Sequence, residues 1–111
     1  MERMSILVVE DEEAQRSLLE GLLRREGFDA KAAGDGKTAV DTFRNNTFEL
    51  VLLDYRLPDT DGLSLLKTFK EINPEVEVIM ITAFGSIENA VSALKSGAFE
   101  YLTKPIDAGD L

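Results

Sequence analysis

Glu49-Leu-Val-Leu-Leu-Asp54 is a run of four apolar residues closed by a carboxylate, too short to make a helix of ordinary length. Unbroken apolar runs of this size are how strands look when both of their faces are buried, as in a parallel sheet. Two more occur at residues 5–10, Ser-Ile-Leu-Val-Val-Glu, and at residues 76–82, Val-Glu-Val-Ile-Met-Ile-Thr. Residues 29–33 and 98–103 are shorter or more polar runs and read as edge strands. Glu100, inside the last of them, suits an edge better than a centre.

Helical patterns fill the gaps. Between Glu13 and Glu26, Ala14, Leu18, Leu22 and Leu23 form one apolar stripe, with Arg16, Glu20, Arg24 and Arg25 off it and Gly27 as the stop. Asp35 can cap a second helix carrying Val40 and Phe43 and ending at Asn45-Asn46. Asp61 can cap a third, with Leu65, Phe69 and Ile72 inward and Asn73-Pro74 as its end. Ser86 can cap a fourth, with Ile87, Ala90, Val91 and Leu94 inward and Gly97 beyond it.

The order is βαβαβαβαβ, an α/β domain. With right-handed crossovers the economical topology is a doubly wound, five-stranded parallel sheet of flavodoxin-like order 2-1-3-4-5. Residues 105–111 read as the opening of a fifth helix that is largely missing, so the expectation is a single domain over 1–111, cut from a longer chain. The edge strand 98–103 would then lack a cover on one face.

Composition narrows the function. One domain is all that 111 residues allow, and 21 acidic against 12 basic side chains give a net charge of −9. That balance argues against binding nucleic acid or an anionic membrane through this surface. The absence of cysteine and histidine removes disulfides, thiolate and imidazole metal sites, cysteine nucleophiles and Ser-His-Asp chemistry. With no secretory leader pattern and no apolar run of membrane-spanning length, the sequence reads as soluble and cytoplasmic.

In an open α/β sheet, ligands bind beyond the carboxyl ends of the strands. Here those ends carry Glu10-Asp11, Asp54, Thr82 and Thr103-Lys104, so one rim collects three carboxylates, hydroxyls and an ammonium. Singly, each has an ordinary role: a helix cap, a turn, a β-branched strand residue, a solvated lysine. Together they do not balance. Two like charges about 5 Å apart repel by roughly 3 kcal/mol at an effective dielectric near 20, and Lys104 offsets only one of three. Carboxylate ligands without His or Cys select Mg²⁺, Ca²⁺ or Mn²⁺. Such a cation beside a carboxylate, a lysine and a hydroxyl suits phosphoryl transfer, with a carboxylate as nucleophile.

Three rival motifs are weaker. Gly34-Asp-Gly-Lys-Thr38 resembles the end of a P-loop, but Lys31 stands where the first glycine belongs. Leu57-Pro-Asp-Thr-Asp-Gly62 resembles a calcium loop, but Leu57 and Thr68 occupy its first and twelfth ligand positions. Asp59-Thr-Asp61-Gly62 resembles the aspartate-nucleophile phosphatases of the haloacid dehalogenase type. There the first aspartate ends a buried strand, which here is Asp54.

The motifs Ile6-Leu-Val-Val-Glu-Asp-Glu12, Leu50-Val-Leu-Leu-Asp-Tyr-Arg-Leu-Pro-Asp-Thr-Asp-Gly62, Ile81-Thr-Ala83 and Tyr101-Leu-Thr-Lys-Pro105 resemble the receiver domain of bacterial two-component response regulators. Thr82-Ala-Phe-Gly-Ser-Ile-Glu-Asn-Ala-Val and Gly97-Ala-Phe-Glu-Tyr-Leu-Thr-Lys-Pro105 further resemble the nitrogen-regulatory, sigma-54-dependent activators. The resemblance implies Asp54 as phosphoacceptor from a sensor histidine kinase. It implies Mg²⁺, with Mn²⁺ as substitute, on Asp11, Asp54 and the backbone carbonyl of Arg56, and Glu10 holding it through water. Thr82 and Lys104 would contact the phosphoryl group, Tyr101 would act as the switch aromatic, and Lys104-Pro105 would be a cis-peptide. It further implies ATPase and DNA-binding output domains outside this chain, and control of transcription. Because Thr82 heads the loop into the fourth helix, the face of the fourth helix and fifth strand is the expected output surface, used either for a homodimer or for release of a neighbouring domain. The family more often has two aspartates where this chain has Glu10-Asp11; glutamate keeps the charge and adds a methylene. The alternatives are a partner-binding module that works without phosphorylation, and a small phosphatase.

Overall fold

In the computed structural model the three apolar runs form the centre of a parallel sheet. The structure describes residues 3–82 and 87–103, with the side chains of 82, 87–90, 101 and 103 outside that description. The elements are β1 (Ser5–Val9), α1 (Glu13–Arg25), β2 (Asp29–Ala33), α2 (Gly36–Asn45), β3 (Leu50–Asp54), α3 (Gly62–Ile72), β4 (Glu77–Thr82), α4 (Ile87–Lys95) and β5 (Glu100–Thr103). The strands lie in the order β2-β1-β3-β4-β5, all neighbours parallel. Parallel pairing brings every carboxyl end to one rim, and the two more polar strands take the edges.

Alternation along each strand divides the core in two. Leu7, Val9, Val51, Leu53, Val78 and Met80 face α2 and α3. There Phe43 stacks on Phe48 with centroids 6.0 Å apart and meets Phe69 at 4.6 Å. Ile6, Val8, Leu52 and Ile81 face the other way and pack with Leu19 and Leu23 of α1. On that second face Leu50, Ile79 and Leu102 are only partly buried. An apolar groove of about 230 Å³ opens there between Met4, Leu23, Phe28 and Ile79. The expected fifth helix falls on residues 105–111, outside the described residues.

Helix ends follow their sequence signals. Asp35 accepts a bond from the Thr38 amide at 2.7 Å, and Asp61 one from the Ser64 amide at 2.8 Å. Gly27 and Gly97 take φ of +95° and +108°, the left-handed stop that ends α1 and α4 without Cβ strain. The expected cap at Ser86 lies outside the described residues.

Two helix faces differ from expectation. On α1 the inward stripe is Leu19 and Leu23, while Ala14 is exposed and Leu18 is 57% exposed. Leucines at 18, 19, 22 and 23 can be read in either of two phases, and only packing on the sheet selects one. On α4, which packs on β5 and α3, Ala93 is buried and Val91 and Leu94 are exposed. A small residue lets that helix sit close, and Val91 and Leu94 turn outward; the side chains of Ile87 and Ala90, also expected inward, lie outside the described residues. Ile72, at the end of α3, is likewise exposed. Among the described residues no helix is long and apolar enough to cross a membrane.

Candidate functional site: a carboxylate cluster at the sheet rim

The site is built on two neighbouring inner strands, β1 and β3. Glu10 continues β1, its amide donating to the Ala33 carbonyl at 3.0 Å, and its side chain is buried to 2% exposure. Glu10 Oε2 accepts a bond from the Glu12 amide at 3.2 Å, which folds the chain over it as α1 begins. Asp11, the next residue, is exposed at the rim. Glu12 is the N-cap residue of α1, and its side chain makes no capping bond.

Asp54 ends β3 and is 6% exposed. The ladder runs one step past it, the Tyr55 amide donating to the Ile81 carbonyl at 3.1 Å. The Arg56 amide then turns back to donate to Asp54 Oδ1 at 3.2 Å. That contact seats the Arg56 backbone against the carboxylate. α3 begins directly behind it: the Gly62 amide donates to the Tyr55 carbonyl at 2.6 Å. A Cβ on Gly62 would fall 2.5 Å from the Asp54 carbonyl oxygen and 2.8 Å from the Met80 methyl. Only glycine allows so close an approach.

One carboxylate oxygen each from Glu10, Asp11 and Asp54 lies within 4.8 Å of the others. Three carboxylates this close, two of them buried, repel one another by about 3 kcal/mol per pair at an effective dielectric near 20. An all-oxygen donor set of this charge fits a hard divalent cation, whose positive charge removes that cost. The donor chemistry and the spacing therefore accommodate a metal, and the Arg56 amide lies against one of the three carboxylates, that of Asp54.

The remaining expected residues divide. Thr82 closes β4 one position after Ile81, the residue paired with Asp54, so its backbone reaches the same rim. Tyr101 lies on β5 opposite Met80. The side chains of both, and all of Lys104 and Pro105 with the expected cis-peptide, lie outside the described residues.

The sequence reading missed two side chains that shape the rim. Asp59 reaches across from the β3–α3 loop to the N-terminus of α2. It accepts from the Gly36 amide at 2.7 Å and the Lys37 amide at 3.0 Å, and these two bonds hold its carboxyl below the usual aspartate range. Asp59 and Asp61, which rival motifs would use as nucleophile or ligand, are thus both taken up at helix N-termini. Arg16 lies off the apolar stripe of α1, yet its Nη1 donates to the Glu10 carbonyl at 3.0 Å and the Asp11 carbonyl at 3.3 Å. Both are contacts between residues far apart in sequence or off any periodic pattern, so no local signal announces them.

With this geometry in place, comparison with known proteins decides the family. Residues 6–111 match the response regulator receiver domain. The chain belongs to that family. The receiver domain is 41% identical over 110 residues to the transcriptional regulatory protein ZraR of Escherichia coli K12, covering 99% of this chain and 25% of ZraR. It is 44% identical over 111 residues to the response regulator protein PilR of Pseudomonas aeruginosa, covering 100% of this chain and 25% of PilR. Relatives of this kind bear out the resemblance to sigma-54-dependent activators. The chain spans about a quarter of the length of these curated relatives.

Among solved structures, a receiver domain of Methanospirillum hungatei superposes with a TM-score of 0.94 at 32% identity, covering 98% of this chain and 87% of that one. A Burkholderia pseudomallei response regulator with a phosphorylated aspartic acid, calcium ion and citrate gives 0.92 at 30% identity, covering 96% and 63%. The beryllofluoride-activated NtrC4 receiver domain dimer gives 0.91 at 37%, covering 96% and 88%. The receiver fold, a parallel α/β sheet of flavodoxin type, and the signalling role that goes with it are thereby established for this chain.

Proposed function

We propose that residues 1–111 form one receiver domain in which Asp54 takes a phosphoryl group from the phosphohistidine of a sensor histidine kinase. The observation that carries this reading is the cluster of Glu10, Asp11 and Asp54, brought to one rim by β1 and β3. A phosphorylated aspartic acid and a calcium ion in the similar Burkholderia protein support it.

Asp11, Asp54 and the Arg56 carbonyl would hold Mg²⁺, or Mn²⁺ in its place, with Glu10 acting through water. When bound, the cation supplies the positive charge that offsets the carboxylates and draws phosphoryl oxygens toward Asp54. A carboxylate oxygen of Asp54 attacks phosphorus, the P–N bond to the imidazole breaks, and the electron pair leaves on nitrogen. The Arg56 amide, already donating to Oδ1, orients the carboxylate for that attack. Thr82 donates to one phosphoryl oxygen and Lys104 pairs with another. The only catalysis is of the domain's own phosphorylation and dephosphorylation.

The added charge of about −1.5 to −2 gives Thr82 and Lys104 something to contact in one state and not the other, which is what shifts a two-state equilibrium. Thr82 moving inward, with Tyr101 following, would change the face formed by α4 and β5. Val91 and Leu94, exposed on α4, supply apolar area for a homodimer on that face. The output is transcription activation through ATPase and DNA-binding domains of a longer cytoplasmic regulator.

Phosphorus NMR of the chain with phosphoramidate and Mg²⁺ tests the reading. It predicts one acyl phosphate per chain and no sustained turnover of an aryl phosphate ester. Steady ester hydrolysis would overturn it in favour of a phosphatase, and a folded chain that forms no acyl phosphate would favour a phosphorylation-independent module.

A further inference from the structure

We infer that Arg16 is a positioning residue of this site, and that Gly34 is glycine in order to leave room for it; the inference rests on the reading of Glu10 and Asp11 as metal-holding groups. A single nitrogen, Nη1, spans two consecutive carbonyls, at 3.0 Å to Glu10 and 3.3 Å to Asp11. Tying both carbonyls to one planar, permanently charged group fixes the peptide between them. That peptide sets how the buried Glu10 carboxylate and the exposed Asp11 carboxylate stand relative to each other. Asp11 has no strand pairing of its own, since β1 ends at Val9 and α1 begins at Glu13. The guanidinium therefore does for Asp11 what the ladder does for Asp54.

Gly34 supplies the second, independent observation. It follows β2, and a Cβ there would lie 2.7 Å from Arg16 Nη1 and 3.4 Å from Cζ, with the Glu10 carbonyl oxygen at 3.9 Å. Its φ is not in the left-handed region, where among the described residues only Gly27 and Gly97 lie. Backbone freedom is not what this position demands; space for the guanidinium is. An alanine at 34 has an easy way out, because the atom it meets is the far end of a flexible side chain. Gly34→Ala should thus push Arg16 off the carbonyls while leaving its charge and the backbone in place.

Partners that orient metal ligands without touching the metal typically change affinity by about 10-fold or more when removed. The test is Mg²⁺ titration by calorimetry of the wild type, Arg16→Ala, Arg16→Lys, Gly34→Ala and the Arg16→Ala/Gly34→Ala pair, with melting in chelator alongside. Arg16→Ala and Gly34→Ala are each expected to weaken Mg²⁺ about 10-fold. Arg16→Lys should recover part of the loss, because an ammonium can still donate to one carbonyl. The double variant should bind no more weakly than Arg16→Ala alone, since Gly34 acts only through Arg16.

Unchanged affinity in Arg16→Ala would overturn the inference, as would losses at 16 and 34 that simply multiply. A melting temperature that falls in chelator with affinity intact would also overturn it, by making Arg16 structural only. A wild-type chain that binds no Mg²⁺ would instead bring down the site assignment beneath it, and this inference with it.

Discussion

At the scale of single residues, close approaches and bonds to backbone groups hold the described part of the rim in place. Gly62 sets the distance between the start of α3 and the Asp54 backbone. Gly62→Ala is expected to cost about 1–3 kcal/mol in urea unfolding, as overpacking does, and to slow phosphorylation by displacing Asp54. Asp59 carries a different load, tying the β3–α3 loop to α2 through the Gly36 and Lys37 amides. Those bonds disfavour its protonation in the folded state, so its folded value lies below the ordinary 3.8. The stability it adds is complete above that unfolded value and disappears as pH falls through the lower folded one. Asp59→Asn should therefore melt below the wild type at pH 7, with the gap closing below about pH 3.8. A gap that stays constant into acid would mean that the charge of Asp59 contributes nothing.

At the scale of elements, what the sequence made legible was whatever short-range pattern determines. The apolar runs mark β1, β3 and β4 because a strand buried on both faces has no polar alternation to obscure it. Asp35 and Asp61 were readable as caps because a cap bonds three residues along its own chain. The phase of α1 was not readable, since four leucines support two stripes, and α4 was misread at Val91 and Leu94, where Ala93 is the buried residue. Arg16 and Asp59 were invisible for a related reason: each acts on the backbone of another element. The phase of α1 makes a direct prediction. Leu19→Ala or Leu23→Ala should cost about 2–5 kcal/mol in urea unfolding, while Leu18→Ala should stay within about 0.5 kcal/mol. A comparable loss at Leu18 would mean that α1 packs in the other phase. For the site itself, Glu10, Asp11 and Asp54 were legible from the rule that strand ends meet at one rim.

At the scale of the whole molecule, a parallel sheet turns a linear pattern into a point of charge. Strands that end in carboxylates deliver them to the same edge, in a chain already at −9. Folding therefore brings the three carboxylates together, and a cation bound there would stabilise the folded state alone. Free Mg²⁺ at one hundred times its dissociation constant is expected to stabilise the chain by about 2.7 kcal/mol, an effect that chelator reverses and Asp11→Asn removes. Equal melting with and without Mg²⁺ would count against a metal at this rim. The most direct measurement is intact mass after incubation with a small phosphoryl donor, with Mg²⁺ and with chelator, for the wild type and Asp54→Asn. One phosphoryl adduct on the wild type, dependent on Mg²⁺ and absent from Asp54→Asn, is the predicted result. An adduct that persists in Asp54→Asn, or forms equally in chelator, would contradict the assignment of Asp54 as a metal-assisted phosphoacceptor.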